Sequence, residues 1–185
     1  VARGLKPSAA IVVTGSELVR GDRRDLNGPF LASSLLGLGI EPARITIVGD
    51  EPAALEAAMR EGLAFDLLVV SGGLGPTHDD RTVELLARAA GVGLELDPEL
   101  ERAIEARSRA VAERLRRPYA DFAEGVRKQA TVPAGAVVAG LAGTAPAFAL
   151  AADGSVATVL PGPPGELQTL WPRVLELEPL RPVLA

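Results

Sequence analysis

A chain of 185 residues with 48% apolar and 23% charged side chains is long enough to bury a core and reads as globular, neither disordered nor fibrous. Its apolar runs are strand-sized and broken by glycine, proline or charge, which excludes a membrane-spanning helix, and no apolar leader with a cleavage site is present, so the expected location is the cytoplasm. Zero cysteines exclude disulfides and thiolate chemistry, a single histidine excludes a histidine-rich zinc site, and a formal charge of -5 argues against broad nucleic-acid binding.

The first expected strand is AAIVVTG, residues 9–15, an apolar run entering a glycine. DLNGPFLASSLLGLG, residues 25–39, predicts a helix: Phe30, Leu31, Leu35 and Leu36 recur at helical spacing, and Gly37 or Gly39 ends it. RITIVGD, residues 44–50, is the second strand. EPAALEAAMREGL, residues 51–63, follows as a helix, with Pro52 in its first turn and Leu55, Ala58, Met59 and Leu63 along one side. DLLVVSG, residues 66–72, is the third strand, and RTVELLARAAG, residues 81–91, is a short helix stopped by Gly91. The longest helical segment is DPELERAIEARSRAVAERLRR, residues 97–117, where Leu100, Ala103, Ile104, Val111 and Leu115 make an uneven apolar stripe. Strands are expected near residues 136–140, 147–153 and 155–162, the last two joined by the hairpin signal Asp153-Gly154. GELQTLWPRVLEL, residues 165–177, resumes helix, with Pro172 limiting or kinking it and Trp171 packing it.

The strands of the first half are continuous apolar runs that alternate with helices, the pattern of a mostly parallel sheet covered on both faces. The Asp153-Gly154 hairpin adds an antiparallel element. No repeat, low-complexity tract or long linker divides the chain, so one α/β domain over residues 1–185 is expected.

The chemistry concentrates after the third strand, in SGGLGPTHDD, residues 71–80. In open parallel sheets ligands bind beyond the carboxyl ends of the strands, where this loop sits. Gly72, Gly73 and Gly75 present backbone amides to an anion with no side chain in the way, Ser71 and Thr77 add hydroxyls, and Pro76 stiffens the loop. Asp79 and Asp80 would repel a bound phosphate unless a divalent cation bridges the two. Mg2+ suits that role, because it takes few carboxylates and shares its other positions with water and phosphate oxygens. The same residues support a plainer reading: Thr77 to Asp80 has capping-box spacing, and acids are favoured in a first helical turn. The loop is neither a Walker A sequence nor the dinucleotide fingerprint.

Further loops at the same sheet edge add candidates. VTGSELVRGDRRDLN, residues 13–27, carries Glu17, a third metal carboxylate or part of a solvated loop, and Asn27, a helix cap or a ligand contact. Asp50 closes the second strand as an N-cap or a ligand. Gly143 and Thr144 are placed to meet a polar ring or phosphate, while Pro161, Gly162 and Pro164 shape a rigid wall before a helix. Lys128 is an anion contact by position, and His78 is a proton shuttle or a harmless exposed histidine. Six arginines between residues 102 and 117 are scattered by helical spacing and accompanied by Glu105 and Glu113. They favour a solvated helix or subunit contact over nucleic-acid recognition, with Tyr119 and Phe122 anchoring the helix.

In this order, IVVTGSELVRGDRRDLNGPFLASSL, VGD, SGGLGPTHDDRTVELLA, KQATVPAGA, GTAPAFAL and LPGPPGEL resemble the molybdopterin-binding-like (MoaB/Mog-type) domain at the N-terminus of the competence/damage-inducible protein A (CinA) family. The resemblance covers nearly the whole chain and implies a three-layer α/β/α sandwich. Relatives bind molybdopterin and, in an adenylylating branch, activate its phosphate using Mg-ATP. The CinA branch is also associated with divalent-metal-dependent hydrolysis of ADP-ribose to AMP and ribose 5-phosphate. The implied pocket comprises Gly72, Gly73, Gly75, Thr77, Asp79 and Asp80, with Glu17, Asn27 and Asp50 from early loops and Gly143, Thr144, Pro161, Gly162 and Pro164 from later ones. The family's C-terminal deamidase domain is not expected in a chain that ends at Ala185, and Ala147 and His78 stand where relatives usually carry Gly and often Pro.

The resulting expectation is a small phosphorylated ligand (ADP-ribose, a nucleotide or molybdopterin), cleaved as an ADP-ribose-type pyrophosphate with Mg2+ or another divalent cation on Asp79, Asp80 and Glu17. The alternatives are a molybdopterin-binding or adenylyl-transfer domain, and a non-enzymatic binding or assembly domain. A homo-oligomer is expected; membrane and nucleic-acid partners are not.

Overall fold

The computed structural model describes residues 6–185. One sheet contains β1 (Ser8–Thr14), β2 (Glu41–Val48), β3 (Leu67–Ser71), β6 (Val137–Ala142), β7 (Ala145–Ala152) and β8 (Ser155–Leu160), in the spatial order β2-β1-β3-β8-β7-β6. β2, β1, β3 and β8 run parallel, whereas β8-β7 and β7-β6 are antiparallel. The turn at Asp153-Gly154 joins β7 to β8, as its sequence predicts, with Gly154 at φ 81°. Two short strands absent from the sequence expectation, β4 (Leu94–Leu96) and β5 (Thr131–Pro133), pair antiparallel in a separate sheet. Three residues are too few to show a periodic signal.

Strand alternation sorts the core into two layers. Ile11, Val13 and Val69 face one side, where they meet Leu31 and Leu35 of α2 (Asn27–Gly37) and Leu167 and Trp171 of α7 (Pro164–Leu175). Ala10, Val12, Leu68 and Val70 face the other. There they meet Leu55 and Met59 of α3 (Pro52–Gly62), Leu85 and Leu86 of α4 (Thr82–Ala90), and Leu100 and Ile104 of α5 (Pro98–Leu115). Every residue of β3 and β8 is buried, which explains why those segments read as unbroken apolar runs. The three-layer sandwich is therefore present as expected.

Several boundaries differ from the sequence reading, each for a local reason. Ser16–Val19 forms a one-turn helix, α1, inside the loop after β1. The long arginine-rich helix stops at Leu115, where Arg116 adopts a left-handed conformation (φ 53°), and a distinct helix, α6 (Ala120–Gln129), follows Pro118. Tyr119 and Phe122 do anchor these helices: Arg109 lies 3.9 Å over the Tyr119 ring and Arg117 5.4 Å over Phe122. Pro172 neither ends nor limits α7, which continues to Leu175. A 3-10 turn (Glu178–Leu180) and α8 (Arg181–Leu184) close the described chain. Among the described residues, no helix is long and apolar enough to cross a membrane.

Phe148 on β7 is fully buried in the second layer. Truncation by Phe148→Ala is expected to cost about 3–5 kcal/mol of stability, measured as a lowered midpoint in urea unfolding at unchanged slope.

Candidate functional site

β1, β3 and β8 are adjacent and parallel, so their carboxyl ends deliver three loops to one place: residues 15–26, 72–81 and 161–163. Strand order reverses between β2-β1 and β1-β3, which leaves a crevice at that end of the sheet. The turn between β6 and β7 closes another side. The result is a cleft of about 660 Å³. Of the residues singled out in the sequence, Glu17, Asn27, Asp50, Gly72, Gly73, Gly75, Asp80, Thr144, Gly162 and Pro164 line it.

The glycine loop is shaped by what its carbonyls touch. Thr82 Oγ1 donates to the Gly72 carbonyl at 2.8 Å, Thr82 N–H donates to the Gly73 carbonyl at 3.3 Å, and Gln129 Nε2 donates to the Leu74 carbonyl at 2.9 Å. A trans peptide carries its N–H opposite its C=O, so these three bonds turn the N–H groups of Gly73, Leu74 and Gly75 away from α4 and α6. Among the described residues those three N–H groups have no hydrogen-bond acceptor. Gly72 differs: its N–H is consumed by the Leu160 carbonyl at 3.0 Å. Gly72 and Gly73 have φ of 104° and 66°, and a Cβ on Gly72 would lie 2.6 Å from the Thr14 carbonyl oxygen, so only glycine is accommodated there.

The acids behave differently from one another. Asp80 packs against Gly75 and accepts from Thr77 N–H at 3.0 Å and Thr77 Oγ1 at 2.6 Å. This looks like the expected capping box, but α4 begins at Thr82, so the 77–80 turn precedes the helix and caps nothing. Asp79, Thr77 and His78 are exposed and do not line the cleft; His78 and Thr77 line a neighbouring cleft with Phe122. Among the described residues, no three His, Cys, Asp or Glu side chains are grouped closely enough to hold a metal, so Glu17, Asp79 and Asp80 are not assembled as the expected trio.

Other expected residues act as supports. Asp50 accepts from Ser16 N–H and Oγ at 3.2 and 2.5 Å, tying α1 to the end of β2, while Glu51 caps α3. Asn27 is the first helical residue rather than the cap of α2. Asp25 accepts from the N–H groups of Asn27 and Gly28 at 2.9 and 3.0 Å. Ser71 is fully buried and donates to the Pro161 carbonyl at 3.1 Å, so neither Ser71 nor Pro161 faces the cleft directly. The Gly143 carbonyl accepts from Arg107 of α5, which pins the β6-β7 turn and holds Thr144 at the cleft. Lys128 donates to the Gly75 and Thr77 carbonyls, and burial lowers its pKa against the pull of Asp80 and Asp79.

Residues that went unnoticed as candidates complete the lining, among them Thr14, Arg23, Arg24, Asp25, Gln129 and Glu166. Arg23 and Arg24 are exposed, and among the described residues neither makes an ion pair. Their signal was the Arg-Arg pair between Asp22 and Asp25, which reads as ordinary loop charge. Glu17, Asp25, Asp50, Asp80 and Glu166 give the walls five carboxylates against those two arginines.

Gly73→Ala forces an unfavourable left-handed backbone and drives a methyl into Thr82 Oγ1. It is expected to lower stability by at least about 1–2 kcal/mol in thermal melts. Burial pushes the Glu166 carboxyl above the usual range. With its folded pKa above the unfolded one, its favourable contribution is complete below the unfolded pKa and is lost as pH rises through the folded pKa. Glu166→Gln is expected to flatten that portion of a stepped-pH denaturation profile.

The family described as "Probable molybdopterin binding domain" matches residues 10–184. The CinA-like protein of Mycolicibacterium gilvum is 46% identical over 183 residues, covering 96% of this chain and 42% of that protein. The CinA-like protein of Mycobacterium tuberculosis is 44% identical over 187 residues with the same coverage. The chain thus spans about 42% of the length of the curated relatives it matches. Among solved structures, CinA of Thermoplasma acidophilum, a protein of unknown function, superposes with a TM-score of 0.78 at 30% identity, covering 89% of this chain and 94% of that one. The molybdopterin biosynthesis enzyme MoaB of Thermus thermophilus has a TM-score of 0.55 at 20% identity, covering 96% and 91%, and shares the fold. The glycine loop with its turned amides sits in a chain that belongs to the molybdopterin-binding-domain family, in the CinA group.

Proposed function

We propose that the cleft binds molybdopterin, a phosphorylated pterin, with its phosphate on the N–H groups of Gly73, Leu74 and Gly75. The observation that carries this is the orientation of those amides by Thr82 and Gln129. Arg23 and Arg24 at the rim supply positive charge without competing ion pairs. The five carboxylates of the walls would be a liability for a ligand made only of phosphate, yet they suit the many N–H donors of a pterin ring. Membership of the molybdopterin-binding-domain family supports the same ligand.

A second reading is divalent-metal-dependent hydrolysis of an ADP-ribose-type pyrophosphate. It is favoured by Asp80 and Glu17, which both line the cleft that the loop amides enter. Two carboxylates fit Mg2+, which completes its shell with water and phosphate oxygens, whereas exposed Asp79 stands outside the cleft. A bound Mg2+ would supply charge neutralisation at phosphorus and an activated water. The chain's own share is then to hold the phosphate on the loop and to present Asp80, itself braced by Thr77. A homo-oligomer belongs to either reading and is checked by light scattering.

Calorimetry with molybdopterin and with ADP-ribose separates the two, and preference for molybdopterin is expected. Replacing Arg23 and Arg24 together by alanine is expected to weaken phosphate-ligand binding roughly tenfold or more, with an unchanged melting temperature. Release of AMP from ADP-ribose in the presence of Mg2+ or Mn2+, abolished by Asp80→Asn, would favour the second reading. Binding of neither ligand would sink both.

A further inference from the structure

Two buried oxygens at the base of the cleft have no hydrogen-bond partner among the described residues: Thr14 Oγ1 and Asn27 Oδ1. Thr14 is 8% exposed and Asn27 5%, and both line the cleft. A third such oxygen, Ser155 Oγ, belongs to the opposite end of β8 and lies outside it.

The Asn27 amide cannot be turned round. Its Nδ2 donates to the Gly162 carbonyl at 2.7 Å and to Ser71 Oγ at 2.9 Å. A carbonyl oxygen only accepts. The single Ser71 proton is committed to the Pro161 carbonyl at 3.1 Å, so Ser71 must also accept from Asn27. The unpartnered atom is therefore the acceptor oxygen, held in place by two good bonds on the other arm of the same amide. Buried acceptors are rarely left unmade, because the loss of hydration is then uncompensated.

Thr14 flanks the same junction. Its backbone carbonyl is the atom that a Cβ on Gly72 would meet at 2.6 Å, and Gly72 directly follows Ser71, the partner of Asn27. Thr14 and Asn27 thus both belong to the junction where the glycine loop leaves β3, with the Thr14 methyl Cγ2 toward Gly72 and Gly73.

We propose that Asn27 Oδ1, together with Thr14 Oγ1, is a donor-reading subsite: the ligand presents an N–H or O–H here, beside the anionic group held by Gly73, Leu74 and Gly75. The ligand class is a phosphorylated molecule with a hydroxyl or ring N–H close to its phosphate, such as a sugar phosphate or a phosphorylated heterocycle. A fully ionised polyphosphate offers only acceptors: it can take the Thr14 hydroxyl proton but leaves Asn27 Oδ1 unpaired. The proposal rests on the phosphate-binding reading above and adds the chemistry required next to the phosphate.

The test is calorimetry of the whole chain, wild type and Thr14→Val, with inorganic pyrophosphate, ribose 5-phosphate and molybdopterin at pH 8. Thr14→Val removes the hydroxyl at constant shape. The two donor-bearing probes are expected to bind wild type roughly tenfold or more tightly than pyrophosphate. Thr14→Val is expected to lose roughly tenfold for those probes, with an unliganded melting temperature unchanged or higher, whereas discrimination against pyrophosphate is read at Asn27 Oδ1, which only accepts. The Asn27 side-chain carbonyl carbon resonance is expected to move with ribose 5-phosphate and stay fixed with pyrophosphate. Equal affinity for pyrophosphate and ribose 5-phosphate, unaffected by Thr14→Val, overturns the subsite and leaves phosphate binding standing. Failure of all three probes to bind overturns the phosphate reading and the subsite with it.

Discussion

The carbonyls of Gly72, Gly73 and Leu74 are held by Thr82 and Gln129, and peptide planarity does the rest. Three consecutive N–H groups are turned toward the cleft because their opposite ends are anchored to α4 and α6. A loop with three glycines has large conformational freedom to lose, and an anion would have to supply that ordering if the carbonyls were free. Here the ordering belongs to the fold. The anchors are a buried threonine and a buried glutamine, neither of which touches the proposed ligand position through its own donor.

Those anchors depend in turn on the sheet. β1, β3 and β8 lie side by side with their register fixed by buried apolar residues on both faces, so the three loop origins cannot slide independently. α7 is tied across to α2 by the Trp171 Nε1 bond to Ser34 Oγ at 2.7 Å, in the layer beneath the cleft. Asn27 then stitches the start of α2 to the ends of β3 and β8 through Ser71 and Gly162. One amide side chain therefore links three of the segments that frame the site.

Much of this was legible in the sequence, and the parts that were not share a cause. Continuous apolar runs announced β1 and β3 because burial on both faces removes the need for alternation, and Asp153-Gly154 announced its hairpin through the backbone conformations it permits. The glycine loop was visible because only glycine tolerates the approach of Thr14. Thr82 and Gln129 were hidden, since their roles depend on where one helix starts and another stops relative to the loop. Asn27 read equally as a cap or a contact, and only the position of Asp25 two residues earlier separates the two. The paired acids were the least informative signal: adjacency in sequence put Asp79 in solvent and Asp80 against Gly75. Neighbouring residues on a turn point in different directions, so a repeated letter did not make a shared site.

The carboxylate of Asp25 occupies the first amides of α2, and α7 opens with Pro163 and Pro164, which have no N–H to offer. Among the described residues, the start of α2 is therefore occupied and that of α7 keeps the Gly165 N–H without an acceptor, so the glycine loop offers the larger set of donors. Any further negative charge on a guest must be balanced at the solvent-exposed rim by Arg23 and Arg24, where dissolved ions compete. In the proposed binding mode the grip is thus divided between an inner hold on backbone amides and a salt-tunable outer one.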